Sequence, residues 1–227
     1  MAYTRTTLAT LKTLLLDKVS SEGVFWVSAE LVDAINESLA IWQAYTGQWT
    51  LKFELSATTD KEVNVPKQII SLQSVKYAGA ELVLTSLYDL DFGAPGWGST
   101  AAGTPSEWYP LGISKFGVHP TPAAVGQMFT LVGVTEAPML KNDGDFIDIG
   151  DEELTILLDY ARHVLSFKEG PGELDATMGA LTRMVEAAAL KNARFRKSTF
   201  YKNYMGKVKE ETQRAPHSMG RDLGARR

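Results

Sequence analysis

The sequence contains no cysteine, which excludes disulfides, thiolate metal sites and Cys–His nucleophiles together. Histidine is nearly as scarce. His119, His163 and His217 are the whole set, and no two have the i, i+4 spacing that would set two imidazoles around a metal on one helical face. No apolar run approaches the ~18 to 20 residues of a membrane span. Nor does the N-terminus read as a secretion leader: Lys12 interrupts the apolar stretch Leu8 to Leu16, and Asp17 and Lys18 stand where a small-residue cleavage site belongs. These absences predict a soluble protein made in the cytoplasm, with no membrane partner.

What is present is ordinary for a globular chain: 227 residues, 44% hydrophobic and 22% charged, enough to bury a core without covalent staples. The charge is uneven. Residues 191–227 hold 11 Lys/Arg against 3 Asp/Glu, while the preceding 190 residues hold 12 against 24. The net charge of -4 therefore conceals an acidic body and a basic end. A basic end on an acidic body suggests an acidic partner, the plain alternative being a solvated tail.

Hydrophobic spacing divides the chain into three stretches. Leu8, Leu11, Leu15 and Val19 recur every three to four residues and predict a short amphipathic helix. Ser28 reads as an N-cap and Glu30 as a first-turn acid of a second helix, with Leu31, Ile35, Leu39 and Trp42 on one face and Gly47 as its stop. From Thr50 the period changes to two. Leu51, Phe53 and Leu55 alternate with Lys52 and Glu54, and further strand-like runs occur at 62–65, 69–77, 81–84, 107–111, 113–119 and 127–134. Ala78-Gly79-Ala80 reads as a hairpin turn, 92–104 as a Gly/Ala/Ser/Thr-rich loop, and Pro120 and Pro122 as turn or edge residues. Helical spacing then returns, with Leu154, Leu158, Ala161 and Leu165 on one face, and Leu174, Met178, Leu181, Val185 and Ala188 on another beyond Gly170-Pro171-Gly172. From Val208 the pattern fades into scattered Gly, Pro and charge, predicting disorder. The expected fold is α+β: helical hairpins at both ends of the chain (1–49 and 139–207), an inserted antiparallel β module (50–138), and a disordered basic C-terminal tail (208–227).

Catalytic chemistry finds no support. The acidic cluster Asp143, Asp145, Asp148, Asp151, Glu152 and Glu153 opens like a calcium loop, but Phe146 and Ile147 break the alternation of ligands. The simpler reading is a helix cap at Asp151 with Glu152 and Glu153 on the positive helix end. Gly93 to Gly98 lacks the Lys-Ser/Thr of a phosphate loop, and no Gly-x-Ser-x-Gly elbow occurs. No catalytic residue, metal site or cofactor is expected, and the chain does not read as an enzyme.

The chemistry-bearing segment is instead the basic end. Arg194, Arg196, Lys197, Lys207 and Lys209 are interleaved with Phe195, Phe200, Tyr201 and Tyr204, and Arg214, Arg221, Arg226 and Arg227 lie beyond them. Such a stretch can bind nucleic acid through phosphates and stacking, or dock on an acidic protein surface with the aromatics as anchors. Four aromatics in ten residues favour a partner surface over a solvated helix. Exposed aromatics such as Trp97 and Trp108 could serve subunit contacts, the alternative for Trp108 being a place in the core.

The order of elements, with several local patterns, resembles the head-to-tail connector (adaptor, or neck) proteins of tailed bacteriophages. The patterns are Ala34-Ile35-Asn36-Glu37 with Trp42 and Thr46-Gly47-Gln48-Trp49; Thr104-Pro105-Ser106-Glu107-Trp108-Tyr109 with Gly112 and Val118-His119-Pro120-Thr121-Pro122; and Asp151-Glu152-Glu153 with Leu158-Asp159-Tyr160-Ala161. The resemblance covers roughly residues 28 to 190. It implies a structural virion protein of the neck, assembled in the host bacterial cytoplasm. Identical subunits, commonly twelve, would form a ring under the portal protein. The C-terminal segment would reach onto the portal, the β modules would face tail or nozzle proteins, and DNA would pass through the channel without sequence-specific binding. The rival from another class is a nucleic-acid-binding protein of the packaging machinery. A carbohydrate-binding β-sandwich fits poorly with the flanking helices.

Overall fold

The computed structural model describes residues 4–19 and 25–214, side chains being described as far as Glu210. The described residues up to Thr46 join those from Ala137 onward in one unit, and Gly47–Glu136 form a second.

The first unit is helical, with one small β-ladder. Strand β1 (Thr4–Thr7) runs into α1 (Leu8–Leu16), and α2 spans Ser28–Thr46. Thr7 caps α1, its hydroxyl accepting the Thr10 N–H at 3.3 Å. Leu8, Leu11, Leu15 and Val19 are all buried, as their spacing predicts. Ser28, however, is the first helical residue of α2 rather than its cap. The Val27 N–H donates to the Glu30 carboxylate at 3.1 Å, so the acid closes the turn from inside. Leu31, Ile35, Leu39 and Trp42 form the buried face of α2 together with Ala34 and Ser38.

After the second unit the chain re-enters through strand β10 (Phe146–Ile149), which pairs antiparallel with β1 from Thr4↔Ile149 to Thr7↔Phe146. Neither strand is legible as one in the sequence, since four residues carry too little alternation. Asn36 on α2 clamps the returning chain. Its side-chain amide donates to the Leu140 carbonyl and accepts the Leu140 N–H, both at 2.9 Å. Helices α4 (Asp151–Glu169) and α5 (Pro171–Lys191) pack on each other and on α2. Asp151 does not cap α4. Gly150 holds that position, and Glu153 reaches back to accept its N–H at 2.9 Å. The inward face of α5 also differs from the expected one: Ala180, Met184, Val185, Ala188 and Ala189 are buried, whereas Met178 is exposed. Small side chains let α5 lie close to α4, so the largest hydrophobics do not mark its core face.

His163 on α4 is buried against α5, with Nδ1 2.9 Å from Thr177 Oγ1. The Ser166 hydroxyl is 2.9 Å from the same oxygen and donates to the His163 carbonyl at 2.6 Å. The donors are all placed when the imidazole N–H donates to Thr177, the Thr177 hydroxyl to the Glu173 carbonyl at 2.9 Å, and Ser166 to the His163 carbonyl. Burial holds the imidazole below its ordinary value of 6.5, which favours the neutral ring.

The second unit contains two four-stranded sheets. One has the order β2-β9-β4-β5, built from Thr50–Ser56, Met128–Thr135, Ile69–Tyr77 and Ala80–Glu81. The other has the order β3-β8-β7-β6, built from Glu62–Asn64, Lys115–His119, Glu107–Leu111 and Val83–Leu84. All pairs are antiparallel except β6 with β7. The expected strand 81–84 is thus two short ones in different sheets, with Leu82 buried between them. Ala78 (φ 49°) and Gly79 (φ 84°) make the expected turn, both in the left-handed conformation that hairpin turns favour.

Trp108, Phe116 and Phe129 join the sheets through one core, Phe116 and Phe129 meeting edge-on with centroids 5.7 Å apart. Trp108 is therefore a core residue and not a subunit contact. The expected loop at 92–104 is partly helical: α3 (Leu87–Gly93) and a 3-10 turn (Trp97–Ser99) occupy its start. On β9, a Cβ at Gly133 would meet the Ile69 side chain and lie 2.8 Å from the Ser71 carbonyl oxygen.

Three substitutions test this packing. Thr177→Val leaves the His163 Nδ1 buried without its partner and should cost about 1–3 kcal/mol in denaturant unfolding. The wild type should also lose stability as pH falls below 6.5 towards the depressed folded value, because the unfolded chain then binds the proton more readily. His163→Phe, which packs the site without a titrating group, should flatten that slope. Gly133→Ala should cost about 1–3 kcal/mol, since the backbone of β4 has no room to yield.

Candidate partner-binding surface

The basic segment forms three consecutive helices, not one. Helix α5 ends at Lys191, α6 spans Ala193–Lys197, and α7 spans Thr199–Arg214. Asn192 makes the first break. Its side-chain oxygen accepts the N–H groups of Arg194 and Phe195 at 3.0 and 3.2 Å, while its amide donates to the Tyr45 carbonyl at 2.8 Å. Ser198 makes the second, its hydroxyl accepting the Tyr201 N–H at 3.2 Å. Each break is a polar side chain capping the next helix. α7 continues past Val208, where the sequence pattern fades. Arg214 is its last residue, and Arg221, Arg226 and Arg227 lie outside the described residues.

The four aromatics converge on Tyr45 at the end of α2. The Tyr45 ring stacks on Phe195 at 4.7 Å and on Phe200 at 5.9 Å. Phe195 also meets Tyr201 at 5.7 Å, and Phe200 stacks with Tyr204 at 6.1 Å. The Tyr204 hydroxyl is 3.1 Å from that of Thr182 on α5. Phe195, Tyr201 and Tyr204 are half-buried in this stack, whereas Phe200 remains 52% exposed. Burial pushes the Tyr45 phenol above its ordinary range, with the Tyr204 hydroxyl adding to it. Tyr45 was not legible as part of the surface: 147 residues separate it from Asn192, and only the tertiary fold makes it the anchor.

The cations divide in two. Lys191 pairs with Glu153, tying the end of α5 to the start of α4. Burial pushes the Glu153 carboxyl up, but the Lys191 ammonium and the Gly150 N–H outweigh it and hold the group below its ordinary 4.5. Arg194, Arg196, Lys197, Lys202, Lys207 and Lys209 are exposed and form no ion pair among the described residues. The arrangement is a cationic face braced by an aromatic stack.

The acidic cluster is distributed among separate structural duties. Asp143 pairs with Lys12, Asp148 lies 3.5 Å from Arg5, and Asp145 accepts the N–H groups of Lys141 and Asn142 at 2.7 and 2.8 Å. The Asn142 and then the Lys141 N–H hold the Asp145 carboxyl below its usual range. Among the described residues no three His, Asp or Glu side chains converge as a metal site, and no helix is long and apolar enough to cross a membrane. His119 ends β8 with its ring edge-on to Trp97 at 5.8 Å, and His217 lies outside the described residues.

Compared with known protein families, the chain matches the model of the SU10 adaptor protein over residues 6–219, which takes in both units. The chain belongs to the SU10 adaptor protein family. It is a phage head-tail adaptor, a structural component of the virion neck, and the family is not an enzyme class. No curated protein matches the chain. In this adaptor the helical unit carries the cationic face.

Glu153→Gln should retain the acceptor for the Gly150 N–H but lose the ion pair, lowering stability at neutral pH by about 1 kcal/mol. The sign with pH comes from the depressed carboxyl. Its contribution is complete above the ordinary 4.5 and disappears as pH falls through the folded value. The two proteins should therefore converge in stability in acid, as read by urea titration at several pH values.

Proposed function

We propose that this adaptor joins the portal to the tail as a ring of identical subunits, twelve in the form typical of such connectors, and that each subunit docks on the portal protein through its C-terminal segment. The observation that carries the reading is the cationic face of α6 and α7. Six exposed Lys/Arg side chains without ion-pair partners among the described residues stand on helices that an aromatic stack fixes to the body. A surface of fixed cations is suited to an acidic protein groove, with the exposed Phe200 as an apolar anchor. Arg214, Arg221, Arg226 and Arg227 extend the same charge towards the end of the chain.

The rival reading, a nucleic-acid-binding protein of the packaging machinery, would use the same cations but needs rings free to stack on bases. All four rings here are engaged with Tyr45, one another or Thr182, and of them only Phe200 keeps about half its surface exposed. DNA would pass through the ring's channel without sequence-specific contact. The free protein would be monomeric or weakly associated, since residues 1–190 are strongly acidic and repel one another at low salt.

The decisive experiment is a pull-down on purified portal with two variants. One lacks residues 215–227, beyond the end of α7; the other carries Lys202→Glu, Lys207→Glu and Lys209→Glu. Both should keep the wild-type melting temperature and lose portal binding at least ~10-fold, the triple variant most at low salt. Unchanged binding by both would rule out docking through this segment.

A further inference from the structure

Residues 83–92 expose more large apolar side chains than any other stretch of that length among the described residues. Val83 and Leu84 form β6, the edge strand of its sheet, and α3 comes directly after it. α3 sinks only Leu90 into the core and turns Leu87, Tyr88 and Phe92 outward; Tyr88 is 75% and Phe92 81% exposed. Tyr88 and Phe92, one turn apart, stack with ring planes 6° apart and centroids at 6.2 Å. Side chains this apolar, gathered on one edge, mark an interaction surface.

The rim of the patch is mostly acidic, with the Lys61 ammonium as a cation beside it. No Lys or Arg occurs between Leu82 and Gly103, whereas Asp89 and Asp91 stand exposed on α3. Both carboxylates are fixed. The Ser86 hydroxyl donates to Asp89 at 2.6 Å, and the Trp97 indole N–H donates to Asp91 at 2.6 Å. Lys61 lies over the Trp97 ring at 3.5 Å, and neither acid forms an ion pair among the described residues.

We propose that this patch is the docking surface for a different protein of the tail, through an apolar segment bordered by Lys or Arg. The assignment rests on the adaptor reading above for the place of that partner, but its chemistry comes from the patch. A two-fold contact between copies of this chain would set Asp89 and Asp91 against themselves. A head-to-tail contact would need a basic surface elsewhere on the chain, and the net-basic part, residues 191–227, is engaged at the portal in that reading. The occupant that fits is therefore another protein of opposite charge.

The test uses the full chain supplied to a phage that lacks its own copy. With a photo-crosslinking phenylalanine analogue at position 92, irradiated virions should yield a covalent adduct to a tail protein, within a few residues of a Lys or Arg. An adduct to a second copy of the chain or to the portal, or no adduct, overturns the assignment. A second measurement is independent of the probe. Tyr88→Ser with Phe92→Ser changes only exposed side chains and should leave the melting temperature unaltered, while tail-bearing particles fall at least ~30-fold and heads retain the adaptor. Asp89→Asn with Asp91→Asn keeps both hydrogen-bond acceptors and should weaken tail attachment in a way that added salt no longer deepens. Normal tails on both double variants would overturn the proposal, as would heads that lose the adaptor itself. Wild-type heads without the adaptor would instead remove the portal-docking reading.

Discussion

The amide of Asn36 makes two hydrogen bonds to the backbone of Leu140, and the helical unit depends on that kind of contact. Its parts come from two stretches of chain separated by the whole of residues 47–136. Nothing local brings the chain from Ala137 onward back to α1 and α2. Closure has to come from long-range pairing: the Asn36 clamp, the β1–β10 ladder, and the α1 N-terminus, where the Leu8 N–H donates to the Asp145 carbonyl at 2.8 Å. Once these hold the returning chain, α4 and α5 can bury their faces against α2. Each such contact carries a loop-closure cost that grows only slowly with loop length, which is why an insertion of this size is tolerated.

Long-range contacts also account for the polar groups inside the helical unit. The His163, Ser166 and Thr177 network crosses from α4 to α5 at one place, and the Glu153–Lys191 pair joins the same helices at another. Between them α5 buries three alanines along with Met184 and Val185. Small side chains pack closely but specify register weakly, because one alanine resembles the next. Directional hydrogen bonds and a partly buried ion pair supply the register that the apolar stripe lacks.

Two surfaces of opposite character result from the fold. The helical unit carries cations on α6 and α7, and the second unit carries an apolar patch rimmed by Asp89 and Asp91. In the proposed reading this suits a neck protein, since an acidic rim disfavours the acidic partner that a cationic face would take. Both surfaces are set on regular elements whose side chains are held from behind, by the Tyr45 stack in one case and by Leu90, Ser86 and Trp97 in the other.

The sequence alone determined the α+β class and the likeness to phage adaptors, because the change of hydrophobic period from 3.6 to 2 near Thr50 and back before Leu154 needs only nearest-neighbour information. The faces of α1, α2 and α4 were legible for the same reason, and so was the turn at Ala78-Gly79. Other features escaped it. The caps at Val27 and Gly150 are made by glutamates reaching back, so the residue that looks like a cap is not the one that acts. β1 and β10 are too short to show alternation and exist only because they pair with each other. The inward face of α5 is set by how closely it approaches α4, not by which residues are most hydrophobic. Tyr45 becomes the seat of the aromatic stack only when the chain brings α6 and α7 to the end of α2. Local propensity and period are written residue by residue, whereas the partners of a side chain are chosen by the whole fold, and it is those partners that turn a basic helix into a surface.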